Sequence, residues 1–334
     1  MNQDQMIAAI DVGSGMSKLT DGSQRVMFQS MIAPFSEAEN RFGATPLLFD
    51  SESSRLVRAG RYVFGRDADV LVQPAARANT LSADWSGSDA WGALMLVALA
   101  HLKPDGYRGV VHLATGIPQA LYNERREDLA RRMEGVHVFT FRGKAYEVDI
   151  RPFVLPQAAA AVLAADDLGD VVGGRGVIDP GTFTTGMAVI FRASPEESFN
   201  VQYWRSGGVE VGVSKVVSIV SEEVSRRFGG KMSESLLHAA LKTRKLSVRG
   251  ESHDIGAIVD RAISSVSGQI VEEVSKLWPN GGMDLNSISS VGGGAALFGD
   301  AIQQAFPQAR IEDDAQWAVV NGLYRYAAEN VRAD

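Results

Sequence analysis

One seven-residue pattern occurs twice, once in each half of the chain, and it narrows the possible folds more than any other feature. Asp11-Val12-Gly13-Ser14-Gly15-Met16-Ser17 and Asp179-Pro180-Gly181-Thr182-Phe183-Thr184-Thr185 both read Asp-x-Gly-[Ser/Thr]-x-x-[Ser/Thr]. Average residue usage would produce it on the order of once in 10,000 positions, so two copies point to an internal duplication. Each follows a short apolar run that predicts a buried strand, Met6 to Ile10 before the first and Val177-Ile178 before the second.

The residue types suit a polyphosphate. Glycine lets backbone N–H groups approach phosphate oxygens with no Cβ between them. Successive N–H groups in a tight turn form an anion-binding concavity, and the hydroxyls of Ser14 and Thr182 add donors. Carboxylates repel phosphates, so Asp11 and Asp179 make sense there only with a cation between. Mg²⁺ with retained waters is the usual solution. Taken singly, either copy also reads as an ordinary β-turn; the repetition is what argues for more.

The rest of the sequence predicts strands alternating with helices, an α/β class. Val110 to Ala114 predicts a central strand and Gln119 to Met133 a charged amphipathic helix. Val136 to Phe141 and Lys144 to Ile150 predict a hairpin across Arg142-Gly143. An alanine-rich helix is expected over Pro156 to Leu168, and Gly173 to Gly176 is expected to mark a boundary. Helices follow over Val211 to Phe228, Asp254 to Leu277, Ala295 to Ala305 and Asp313 to Glu329. The basic run Lys242 to Arg249 reads as a solvated loop. A third small-residue motif, Gly292-Gly293-Gly294-Ala295, lies between a strand and a helix, where it would admit a flat ring or a ribose. Neither glycine cluster extends to Gly-x-Gly-x-x-Gly, and no Gly-Lys-[Ser/Thr] ending occurs, so the Rossmann and Walker readings fail.

Composition removes several function classes. A chain of 334 residues favours two domains. The net charge of −7 argues against direct nucleic-acid binding, which needs a cationic surface. With no cysteine there is no disulfide, thiolate metal site or cysteine nucleophile, and no two of the five histidines are spaced as a helical metal pair. No apolar run approaches the ~20 residues of a membrane span, and a cytoplasmic location is expected.

At these motifs the sequence resembles the actin-like ATPase superfamily. Asp11 to Lys18 is similar to the first phosphate loop of actin, Asp179 to Thr185 to the second, and Val291 to Ala295 to the adenosine motif. Pro156 to Ala161 resembles the first connecting helix and Trp317 to Tyr324 the second. The layout is most similar to plasmid-segregation actins of the ParM/StbA type and to archaeal actin-like proteins. The resemblance implies the actin-like, ribonuclease H-like two-domain fold, with a nucleotide cleft between the domains. The first domain would span residues 1–165 with an insertion near 33–77, and the second 166–312 with an insertion near 210–284. Residues 313–334 would return to the first.

Roles follow from the same resemblance. Gly13, Ser14, Gly15, Ser17 and Lys18 would bind the phosphates of ATP, as would Gly181, Thr182 and Thr184. Asp11 and Asp179 would hold Mg²⁺ through water. Gly292, Gly293, Gly294 and Ala295 would line the adenosine pocket, and Gln157 would orient the attacking water. An amide both donates and accepts, which suits water positioning without strong basicity. The expected function is a filament-forming ATPase that assembles with its own copies and segregates plasmid DNA through a separate DNA-binding adaptor. A non-polymerising ATP-binding scaffold and a small-molecule kinase of the same superfamily are the alternatives.

Overall fold

The computed structural model describes residues 4–35, 48–73, 76–163, 172–194, 196–197 and 200–331. The chain divides into two compact units, Met1–Val171 with Trp317–Asp334, and Val172–Gln316.

The first unit opens with strands β1 (Asp4–Val12), β2 (Met16–Thr20), β3 (Arg25–Gln29) and β4 (Ile32–Pro34). Strands β5 (Leu48–Ser53) and β6 (Gly60–Phe64) follow, then helices α1 (Gly65–Leu71) and α2 (Asp89–Leu102). Strand β7 (Tyr107–Ile117), helix α3 (Tyr122–Met133), strands β8 (Gly135–Phe141) and β9 (Lys144–Pro156) and helix α4 (Gln157–Leu163) complete the N-terminal run. The strands form one nine-stranded sheet in the order β3-β2-β1-β7-β9-β8-β5-β6-β4. β1, β7 and β9 run parallel at its centre. The region near 33–77 therefore extends the main sheet through β4, β5 and β6; its residues 36–47 lie outside the described residues.

Alternation along β1 separates two tasks. Met6, Ala8, Ile10 and Val12 enter the core with α2, whose serine cap accepts from the Trp91 backbone N–H. Asp11 is turned to the other face, where its carboxylate meets α4. The alanines of α4 are buried, so the helix packs closely. The helix begins at Gln157, with Pro156 as the last residue of β9. The expected continuation over 164–168 falls outside the described residues.

The second unit contains β10 (Gly173–Pro180), β11 (Thr185–Arg192), β12 (Asn200–Val201), β13 (Gly207–Val209), α5 (Val213–Phe228) and α6 (Glu234–Thr243). A small hairpin of β14 (Lys245–Val248) and β15 (Glu251–Asp254) precedes α7 (Gly256–Leu277), β16 (Leu285–Ser290), α8 (Ala295–Ala305) and β17 (Ala309–Ile311). Its sheet runs β12-β11-β10-β16-β17, with β13 also pairing β11. Helix α9 (Ala318–Val331) then belongs to the first unit, packing on α4, β1 and β7.

One expectation needs refining and one correcting. Gly173 to Gly176 lies at the start of the second unit, directly after the division at Val171 and Val172, but forms the first half of β10; Gly176 sits against Trp278 and Leu285, where a Cβ would come within 2.9 Å of both. Small residues are needed there by packing, not by a turn. Lys242 to Arg249 is no solvated loop. Leu246 and Val248 are buried in the second unit's core while Lys245 and Ser247, alternating with them, face out, the signature of a half-buried strand.

Candidate functional site

The two copies of the repeat have the same backbone construction. Each joins two antiparallel strands, and in each the aspartate pairs with the residue seven positions on: Asp11 with Lys18, Asp179 with Gly186. Each leading strand has a parallel neighbour on its other side, β7 for β1 and β16 for β10. The glycine two residues after each aspartate lies under a backbone carbonyl three residues on. A Cβ at Gly13 would stand 2.9 Å from the Met16 oxygen, and one at Gly181 would stand 3.1 Å from the Thr184 oxygen. The last hydroxyl of each copy points into the protein. Ser17, fully buried, places its hydroxyl 2.9 Å from that of Ser30, and Thr185 donates to the Val211 carbonyl at 2.7 Å. The Ser17 side chain is therefore an anchor of the hairpin rather than a group presented to a ligand.

In the first unit, Asp11 is 4% exposed and Lys18 8% exposed. Directly opposed across the ribbon, they share a face. The Lys18 ammonium donates to Asp11 Oδ2 at 2.9 Å and the Gln157 amide donates to Oδ1 at 2.8 Å. Gln157 fits because residue 116 is glycine; a Cβ there would come within 2.6 Å of the Gln157 Cγ. The structure thus gathers Asp11, Lys18 and Gln157 beside the turn of Gly13, Ser14 and Gly15. Gly116 belongs to this arrangement, and sequence alone offered no signal for it, since its partner is 41 residues away.

In the second unit, the loop of Gly181, Thr182 and Thr184 is held from two sides. The first backbone N–H groups of α5 donate to it, Val213 to the Gly181 carbonyl and Ser214 to that of Thr182. The Gly292-Gly293-Gly294 turn holds it from the other side, with the Gly294 N–H donating to the Pro180 carbonyl at 2.8 Å. Gly292, at φ +79°, leaves room for Asp179, because a Cβ there would lie 2.0 Å from Oδ1. Gly294 clears the Pro180 carbonyl in the same way, whereas the Cβ position of Gly293 is open. Two of the three glycines are thus required by the loop itself, and Gly293 is the one with free space. Ala295 is buried as the first residue of α8.

The donor set fits a phosphate group on the first loop, since it combines a glycine turn, a hydroxyl and an ammonium. It fits Mg²⁺ held through water. Each Asp11 oxygen already accepts one bond, and one lone pair remains on each. An ammonium at 2.9 Å disfavours direct inner-sphere contact. Among the described residues no three His, Cys, Asp or Glu side chains cluster as a direct metal site. No described helix is long and apolar enough to cross a membrane.

Two units, each built on the same aspartate–glycine hairpin, define a duplicated α/β protein. Known proteins agree. Residues 9–159 match the N-terminal domain of actin-like proteins, and residues 177–304 match the MreB-like C-terminal domain of archaeal actin homologues. The chain belongs to the actin-like superfamily and has its two-domain α/β fold. No curated protein matches the sequence.

Solved structures match over nearly the whole length. A 15-stranded ParM filament from Clostridium botulinum is 19% identical with a TM-score of 0.81, covering 98% of this chain and 99% of that one. An archaeal actin homologue in complex with ADP is 21% identical, with a TM-score of 0.78 and coverage of 97% and 99%. Bacillus thuringiensis ParM with AMPPNP is 14% identical, with a TM-score of 0.70 and coverage of 98% and 100%.

Proposed function

We propose that the protein binds and hydrolyses ATP with Mg²⁺ and assembles into filaments of its own copies. The observation that carries the reading is the identical register of the two hairpins, Asp11 opposite Lys18 and Asp179 opposite Gly186. A packing requirement alone gives no reason for both halves to keep an aspartate, a glycine and a hydroxyl in that order. The ADP and AMPPNP complexes of structural relatives support the nucleotide, and the ParM filament supports the polymer.

In this reading the backbone of Gly13, Ser14 and Gly15 receives phosphate oxygens, and Lys18 neutralises their charge. Gly181, Thr182 and Thr184 do the same on the second loop, and Gly293 leaves space for the nucleoside. Mg²⁺, held through water by Asp11 and Asp179, would supply charge neutralisation of the transferring phosphoryl group. Gln157 orients water, its Nε2 held by Asp11 so that its Oε1 is free to turn toward a nucleophile. Positioning of this kind, rather than strong base catalysis, dominates phosphoryl transfer. Plasmid segregation through a DNA-binding adaptor is the cellular role we propose, consistent with a net charge of −7 that disfavours direct DNA contact.

The test is phosphate release paired with sedimentation in Mg-ATP, in a non-hydrolysable analogue and without nucleotide. Release and pelleting that both depend on nucleotide are expected. Nucleotide binding without pelleting at high concentration replaces the filament with a monomeric ATP-binding scaffold. ADP formation without phosphate release, seen only on addition of a small hydroxyl compound, points to a kinase.

A further inference from the structure

Two tryptophans meet at the first loop. Trp85, in a short helical turn before α2, and Trp91, in the first turn of α2, each donate an indole N–H to the carbonyl of Val12, both at 3.2 Å. They are 6% and 1% exposed. A buried indole N–H needs some acceptor. That requirement does not explain why two of them converge on one carbonyl, the one immediately before Gly13.

We infer that Trp85 and Trp91 are positioning residues that aim the backbone of the first loop at its ligand. The inference rests on the reading of that loop as phosphate-binding. Pairing of β1 with β7 ends at Ile10 and Thr115. There the Ile10 carbonyl still has a partner on the β7 side, the Thr115 hydroxyl at 2.8 Å. Carbonyls two residues apart on a strand point to the same side, so the Val12 carbonyl faces the β7 side just past the last pair of the two strands. The two indoles supply the missing donors. The Val12–Gly13 peptide is trans and planar, with its N–H opposite its C=O. Fixing the Val12 carbonyl toward the indoles therefore turns the Gly13 N–H to the β2 side, into the turn of Ser14 and Gly15.

The shared acceptor gives the inference a distinctive signature. ADP affinity is measured with a fluorescent ADP analogue on the full chain, in Trp85→Phe, Trp91→Phe and the double variant. Either single change is expected to weaken binding by no more than about twofold, because one indole still satisfies the carbonyl. The double change is expected to weaken it by about tenfold or more, well beyond the product of the singles. A packing role alone would lower thermal stability and leave affinity untouched. Wild-type affinity in a folded double variant overturns the inference and leaves nucleotide binding standing; a wild-type protein that binds no ADP overturns both. If the double variant does not fold, the indole ¹H–¹⁵N resonances of the wild type decide. Shifts of both resonances on ADP addition support the inference, and a resonance of either tryptophan that stays fixed overturns it.

Discussion

Asp11 carries two obligations, to Lys18 and to Gln157, and they separate experimentally. Breaking a buried ion pair from one side leaves the other charge in a poor dielectric, at a cost of about 3 kcal/mol. Asp11→Ala is therefore expected to lower the stability of the nucleotide-free protein by about that much in urea denaturation, given side-chain exposures of 10% and 6% for Lys18 and Asp11. Adding Lys18→Met should recover most of the loss, because it removes the buried ammonium that Asp11 offsets. Equal losses in the single and double variants would mean the pair contributes only packing. Gln157→Ala removes a bond to Asp11 without touching the phosphate-facing backbone. It should slow phosphate release at saturating ATP by about tenfold, or ~1.4 kcal/mol in the barrier, with ATP affinity nearly intact. A parallel fall in affinity would make Gln157 a support for Asp11 rather than a water-positioning group.

The hairpins work because neighbouring elements hold them without side chains in the way. On the second loop the N-terminus of α5 donates to carbonyls from one side, and the β16–α8 turn closes on the other. Gly292→Ala would place a methyl group 2.0 Å from Asp179 Oδ1 at a φ of +79°. Backbone strain of this kind costs on the order of 1–3 kcal/mol, and the carboxylate must move as well. Thermal denaturation should show the loss, and titration of Mg²⁺ against ATP affinity should show a weakened Mg²⁺ dependence. Gly293→Ala, whose Cβ meets nothing within 4 Å, should leave stability unchanged and alter nucleotide affinity alone. Equal stability losses at the two positions would contradict the division of labour between them.

Across the first unit, pH enters through one buried and one half-buried histidine. His137 is fully buried, with Nε2 2.7 Å from the Met133 carbonyl and Nδ1 2.8 Å from the Ser54 hydroxyl. His101 stacks on Phe28 and lies against Phe141. Burial holds both imidazoles below their ordinary pKa, against the opposing effect of their backbone carbonyl bonds. Both are therefore neutral in the fold while the unfolded chain takes up protons below about pH 6.5. Their contribution is present above that value and is lost as pH falls through it. The urea midpoint should fall between pH 7.5 and 5.5, and His101→Phe should flatten the fall, because the ring stays and the titration goes. An unchanged slope in that variant would assign the pH effect elsewhere.

Much of this architecture was legible before any coordinates. The duplicated aspartate–glycine pattern, the β8–β9 hairpin and helix α8 depend on neighbours in sequence, through turn chemistry and side-chain periodicity. The regions that misled did so because distant residues override local preference. Gly173 to Gly176 looks like a break, yet Trp278 and Leu285 demand small residues in the middle of a strand. Lys245 to Val248 looks solvated, yet alternate positions find the core. The candidate site shows the same division. Asp11 could be nominated from the repeat, and Lys18 and Gln157 from the resemblance to actin-like ATPases, but that the Gln157 amide holds Asp11 depends on a bare Gly116 across the sheet. The convergence of Trp85 and Trp91 on one carbonyl, more than 70 residues away in sequence, has no linear trace at all. A motif constrains the backbone it occupies; which side chains come to surround that backbone is set by packing between segments far apart in the chain.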